Sequence, residues 1–194
     1  MNQTVLSNRQ KKTRLAFINA FMRLVIEKGF DRVTVTEIAN EANYGRWVFY
    51  QYFKSREDVA WSTFVYWMTQ LDVYMVESVK HLASPQREYE SWRILFQAFH
   101  QQKHYLMRLD SAIASEWHGR AKEFLIQQFL QHIYEGHFAL MEGVRPAIAA
   151  RLYVVAIMEL LQHWGRNPDL GDSEALVDEF FIFIFNQPPP KMSK

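Results

Sequence analysis

From Thr13 to Lys28 the apolar positions Leu15, Ile18, Phe21, Met22 and Val25 recur at spacings of three and four, the period of an amphipathic helix. Gly29 follows, a residue type on which helices commonly end. Thr34-Val35-Thr36-Glu37 opens the next element. The Thr34 hydroxyl can accept from the Glu37 amide while the Glu37 side chain reaches back, which makes a capping box. The helix it starts is short, with Ile38 and Ala39 inward and Ala42 completing the turn. Asn43-Tyr44-Gly45 interrupts the pattern and Arg46–Tyr52 resumes it. Two short helices joined by about three residues, with a glycine near the join, form a helix-turn-helix.

Ser55-Arg56-Glu57-Asp58 is a second helix start, with Ser55 as cap and two acids at the positive end of the dipole. The helix beyond runs toward His81 and is stopped by Ala83-Ser84-Pro85. The remainder reads helical over 86–102, 104–117, 120–138, 145–165 and 173–186. Breaks are expected at Gly119, at Gly143 with Pro146, and at Gly165-Arg166-Asn167-Pro168. Periodicity alone allows either a helix or a buried strand for Phe180–Phe185. No partner strand is evident, so helix is the expectation. The predicted fold class is all-α, with a three-helix head over residues 1–54 and a helical body over 55–194.

Composition narrows the function. Seven Gly and six Pro leave little material for strands and turns, and three of the prolines are Pro188, Pro189 and Pro190. The absence of cysteine excludes disulfides, thiolate nucleophiles and Cys-ligated metals, and suits a reducing cytosol. The N-terminus carries Lys11, Lys12 and Arg14 and has no apolar signal-peptide segment. The longest apolar stretches, at 152–158 and 180–185, fall short of the ~20 residues that cross a bilayer. A cytoplasmic protein is expected. The net charge of +1 divides unevenly, +4 over residues 1–60 and −3 over the rest. A basic head on a mildly acidic body points to a polyanion partner at one end.

The stretch Thr13-Arg14…Ala20-Phe21…Glu27-Lys28-Gly29-Phe30…Thr34-Val35-Thr36-Glu37-Ile38-Ala39…Ala42, followed by Phe49-Tyr50-Gln51-Tyr52-Phe53-Lys54-Ser55-Arg56-Glu57-Asp58-Val59, resembles the TetR/AcrR family of bacterial regulators. The likeness covers roughly residues 10–60 and is specific because three elements coincide at the family spacing. These are the Gly-aromatic pair after helix 1, the Thr-x-x-x-Ile-Ala of helix 2 and the aromatic-Tyr-x-Tyr-Phe that ends helix 3. The resemblance implies a homodimer whose N-terminal heads enter successive major grooves of double-stranded operator DNA. It also implies a C-terminal domain for ligand binding and dimerisation, whose small-molecule effector changes the spacing of the heads. The departures fall in the recognition turn. Asn43-Tyr44-Gly45 stands where relatives have Gly-Val-Ser, and Trp47-Val48 where they often have Gly-Thr. The lost serine removes a phosphate-contacting hydroxyl, although Gly is tolerated as a helix cap.

Phosphate contacts need donors at helix N-termini, and base reading needs side chains on the exposed face of helix 3. Arg46, in the first turn of that helix, is the candidate base reader, because bidentate Arg to guanine is the commonest specific contact. A phosphate contact is its alternative. The resemblance implies that Thr34 touches a phosphate besides capping and that Tyr50 and Tyr52 reach the sugar-phosphate backbone. Tyr52 reads equally as a core ring beside Phe53. Arg56 stands where relatives have a lysine, and there implies a phosphate clamp at a helix N-terminus. Tyr44, Gly45, Trp47, Gln51 and Lys54 complete the candidate face, with a solvated lysine as the alternative for Lys54. Trp47 either stacks on sugar or thymine methyls or packs inward. Arg9, Lys11, Lys12 and Arg14 form a candidate arm along the backbone.

In the body, Trp92, Phe96, Phe99, His100, His104, Tyr105, Trp117 and Phe129 crowd the middle helices. Singly each reads as core. Together they make a candidate pocket for an apolar or aromatic effector, because the resemblance implies one. His100 and His104 lie four apart, the spacing of one helix face, but a metal site needs a third ligand such as Glu116, His118 or His132. No motif supplies it, so neither metal nor cofactor is expected. The last two helices are apolar over more than one face. Ala150, Val154, Ile157, Met158, Leu161, Phe180, Phe181 and Ile184 are candidates for the dimer bundle that the resemblance implies, with an enclosed monomeric core as the alternative.

The function that follows is a one-component transcriptional regulator, a repressor that binds palindromic operator DNA as a homodimer under control of a small apolar or aromatic effector. Two other classes compete with it. One is an interaction protein of the same fold with altered or lost DNA binding. The other is a small helical enzyme or metal protein built on His100 and His104. Against catalysis stand the lack of a nucleophile–base pair, of a Gly-rich phosphate loop and of cysteine, so no enzyme is expected.

Overall fold

The computed structural model describes residues 7–140 and 143–191, without the side chains of residues 104, 107, 109–116 and 168. The candidates His104 and Glu116 therefore have side chains outside the described residues. Every regular element among the described residues is a helix, including the Phe180–Phe185 run. Eight α-helices follow in order: α1 Asn8–Lys28, α2 Val35–Glu41, α3 Arg46–Tyr52, α4 Arg56–Val79, α5 Gln86–Gln101, α6 Lys103–Tyr134, α7 Pro146–Arg166 and α8 Ser173–Phe185. Short 3₁₀ turns at Phe30–Arg32 and Pro168–Leu170 complete the set.

Three boundaries differ from the sequence pattern. Helix α1 begins five residues before Thr13, because Ser7 and Gln10 form their own capping box among polar residues that carry no apolar period. Helix α6 continues through Gly119, which keeps an ordinary φ. An isolated helical glycine costs ~1 kcal/mol against alanine, too little to end a helix whose neighbours continue it. The third is the end of α6, which stops at Tyr134 where the pattern runs to 138, with Gly136 left-handed at φ 75° just beyond. The α5–α6 junction at Gln102 agrees with the pattern and leaves His100 and His104 on separate helices.

The chain divides into two compact units. The first comprises residues up to 69 with 104–114. Its core is aromatic: Phe17 lies 5.4 Å from Phe49 and 6.0 Å from Phe53, both edge-on, and Phe21 meets Phe30. Ile38, Val33 and Val59 are fully enclosed beside them. The second unit comprises residues 70–103 and 115–191 of those described, and its core centres on Trp92. That indole meets Phe180 edge-on at 4.7 Å, and Phe96 packs on the same ring of α8. Helices α5 and α8 are also joined by the Tyr89 hydroxyl, which donates to Asp178 at 2.7 Å. Burial, together with that carboxylate, raises the Tyr89 hydroxyl above its ordinary range. Inside this unit Glu88 is fully buried, held by Arg87 Nη2 at 3.1 Å and by the Ala139 amide at 2.9 Å.

Candidate nucleic-acid interface and effector pocket

Helix α2 starts on the capping box that the sequence indicates: Thr34 Oγ1 accepts from the Glu37 amide, and Glu37 Oε2 accepts from the Thr34 amide. Glu37 also pairs with Lys28. The Lys28 hydrogen bond first, and those from Thr34 next, pull the Glu37 carboxyl down to about 2. The turn into α3 needs a left-handed residue, which Asn43 supplies at φ 59°. Asn is among the few non-glycine residues that adopt this conformation readily. Tyr44 is pinned back on α1, with its hydroxyl 3.3 Å from Thr13 Oγ1 and its ring 5.3 Å from Phe17. Gly45 then caps α3 in extended conformation.

Helix α3 has one wholly buried side chain, Phe49. Arg46, Trp47, Tyr50 and Gln51 on the same helix are all exposed. Trp47, which the sequence left open between two orientations, is 73% exposed and packs on no core. Tyr52 is half-buried with its ring 6.1 Å from Phe17. Thr34, Tyr44, Gly45 and Lys54 are exposed in the same unit.

Arg56 is committed elsewhere. Its Nη1 donates to the carbonyls of Phe30, Asp31 and Val33, its Nε bonds Glu57, and its guanidinium lies over the Phe30 ring at 4.6 Å. An arginine so engaged ties the 3₁₀ turn to the start of α4. The Arg14 guanidinium of the candidate arm similarly lies over Phe53.

In the second unit a cavity of about 260 Å³ opens between helices. Two of the eight candidate pocket residues, Trp92 and Phe129, line it. Phe96 is core against Phe180, Phe99 is half-buried, and His100 is exposed and stacked on Trp164. Tyr105 is buried in the first unit, where burial raises its hydroxyl, and Trp117 is half-buried outside the lining. The lining that the sequence did not mark comes from the end of α4 (Met75, Val76, Val79), from Lys80, and from Arg87, His137 and Phe138. The apolar triplet at 75, 76 and 79 was the available signal, at helical spacing. The wall is mostly apolar, with Lys80, Arg87, Ser91, His132 and His137 as its polar members. Trp92 Nε1 and Arg87 Nε are buried donors without an acceptor among the described residues.

Of the candidate dimer residues, Ala150, Val154, Ile157, Phe180 and Phe181 are buried within their own chain, and Met158, Leu161 and Ile184 are partly so. As a physical matter they are the inward stripe of α7 and α8. The apolar side chains these helices leave in water are Ile148, Leu152 and Val155, a stripe at spacings of four and three, with Ile182 and Phe183. No helix among the described residues is long and apolar enough to cross a membrane.

Residues 17–60 match the profile of the bacterial regulatory proteins of the tetR family. The fatty acid metabolism regulator protein of Bacillus subtilis (strain 168) is 24% identical over 140 residues, which are 70% of this chain and 68% of that one. Among solved structures, NalD, the secondary repressor of the MexAB-OprM multidrug efflux pump in Pseudomonas aeruginosa, superposes with a TM-score of 0.62. It is 22% identical over 96% of this chain and 100% of its own. FadR from Bacillus subtilis, solved in complex with stearoyl-CoA, gives a TM-score of 0.57 at 23% identity over 85% and 94%. Residues 17–60 are thus similar to the helix-turn-helix domain of the tetR family of bacterial regulatory proteins, and the chain shares the fold of NalD and FadR.

Proposed function

We propose that this protein is an effector-responsive transcriptional repressor that binds palindromic operator DNA as a homodimer. The observation that carries the reading is the outward face of α3, where Arg46, Trp47 and Tyr50 stand in water on a helix anchored by Phe49. A surface holding two large aromatics in water serves a partner better than it serves folding. A rod of this kind fits a major groove ~12 Å wide. Arg46 reads a base edge, Trp47 and Tyr50 contact sugar and thymine methyls, and Thr34 at the α2 N-terminus meets a phosphate.

The second copy docks on the outward stripe of Ile148, Leu152 and Val155 with Ile182 and Phe183. The effector enters the cavity of the second unit, an apolar or aromatic body against Trp92, Phe129 and Phe138 with a polar head toward Lys80 and Arg87. The stearoyl-CoA in the Bacillus subtilis FadR structure has the same division into apolar and anionic parts. Helix α4 carries the response, since Met75, Val76 and Val79 line the cavity and its first turns belong to the unit that holds α3.

The test is a mobility-shift titration of the full chain against DNA from its own promoter region and against random duplex, at two salt concentrations. Selective binding that weakens with salt is expected, and Arg46→Ala should bind both duplexes alike. Equal affinity of the wild type for both would sink the reading, and salt-independent capture of a protein partner would favour the interaction-protein alternative.

A further inference from the structure

The C-terminus of α6 folds two histidines onto one another. Gly136, at φ 75°, takes the left-handed position just past the helix. The amides of Gly136 and His137 bond back to the carbonyls of Ile133 at 3.2 Å and His132 at 2.9 Å. This bond pair is the Schellman arrangement, and it returns residue 137 over residue 132. His132 Nδ1 and His137 Nδ1 come to 3.4 Å, and Glu135 Oε2 lies 3.3 Å from His137 Nδ1. One ligand-type atom from each of the three residues falls within 4.8 Å of the others. Donors about 2.0–2.1 Å from a tetrahedral zinc stand ~3.3 Å apart. Two of the three spacings are already those of a filled coordination sphere.

A second observation comes from α4. Asp72 Oδ1 lies 2.5 Å from His132 Nε2. A carboxylate there accepts a hydrogen bond from Nε2–H, which keeps the proton on Nε2 and leaves the Nδ1 lone pair facing His137. The same carboxylate–histidine relay orients metal-binding imidazoles generally. Glu135, Asp72 and the negative end of α6 all favour a cation at this point, and the imidazole nitrogens select zinc-like ions over calcium or magnesium.

We propose that His132, Glu135 and His137 form a divalent transition-metal site of the zinc class, with Asp72 as the positioning residue for His132. Three protein ligands leave a fourth position, and because both histidines line the cavity that position is available to water or to a donor atom of a cavity ligand. The site does not depend on DNA recognition.

The experiment titrates the metal-stripped full chain with zinc against a chromophoric chelator, and with cobalt(II) while following the visible d–d band. The wild type should bind one zinc per chain and develop the band at one equivalent. His132→Ala and His137→Ala should lose the band and at least ~100-fold in zinc affinity, and Asp72→Asn should lose ~10–100-fold, the usual cost of removing such a partner. His137 is 43% exposed in its side chain, so its variant should melt like the wild type and serves as the folding-safe test. Zinc affinity unchanged in His137→Ala, or no cobalt band in the wild type, overturns the proposal. Neither result bears on operator binding, which the mobility shift reads separately.

Discussion

Trp47 and Phe49 stand two positions apart on α3 and predict opposite outcomes for the same truncation. Phe49 is fully enclosed, 5.4 Å from Phe17 and 5.5 Å from Phe53 by ring centroid. Phe49→Ala removes a whole buried ring from a short helix with no other wholly buried side chain, and should cost ~3–5 kcal/mol. Trp47 keeps only about a quarter of its surface from solvent. At ~25 cal/mol per Å² on a side chain of ~250 Å², its truncation costs no more than ~1.5 kcal/mol. Helix propensity acts against even that loss, since Ala is the better helix former. Urea unfolding of both variants, followed by far-ultraviolet dichroism, measures the two costs, and the mobility shift measures what each does to DNA. Trp47→Ala should unfold within ~1.5 kcal/mol of the wild type yet bind operator at least ~10-fold more weakly, in line with ~1–3 kcal/mol for one lost contact. A Trp47→Ala protein that retains full operator affinity would refute the assignment of this face. So would a Phe49→Ala protein as stable as the wild type, since α3 would then not be held as described.

Other substitutions separate structural from DNA-binding roles. Glu37, pulled down to about 2 by Lys28 and Thr34, has a folded value below its unfolded one. Its contribution is therefore present above pH ~4.5 and fades as pH falls toward about 2, so Glu37→Gln should flatten that part of the acid limb in unfolding titrations. Arg56→Lys should lose stability by ~1–3 kcal/mol in denaturant melts, because an ammonium cannot serve the carbonyls of Phe30, Asp31 and Val33 together with Glu57. Glu88→Ala leaves Arg87 and the Ala139 amide without their shared acceptor and should cost ~2–4 kcal/mol in thermal unfolding. Phe183→Glu, at a side chain 76% exposed, should keep the fold by dichroism and shift light-scattering mass from dimer to monomer.

Much of the head was legible in the sequence because its determinants are local. The Thr34–Glu37 box, the Gly45 cap and the 3.6-residue period act between near neighbours, so residue order alone locates α2, α3 and the turn. The all-helical class followed for the same reason, except at Phe180–Phe185, which periodicity left open and the lack of a partner strand assigned to helix. Contacts between distant residues were not legible. Arg56 was expected at a phosphate, and only the packed chain brings the carbonyls of Phe30, Asp31 and Val33 within its reach. Trp47 was open between two orientations until the fold assigned the inward position to Phe49. In the body, periodicity marks a helix as apolar on several faces but does not say which face its own core takes. Phe180 and Phe181 went inside and Phe183 outside. His132 and His137, with Asp72 far away in sequence, form one cluster only because a left-handed glycine turns the chain back at the end of α6. Short-range hydrogen bonding and periodicity are written in residue order, whereas burial and long-range pairing depend on which helices meet.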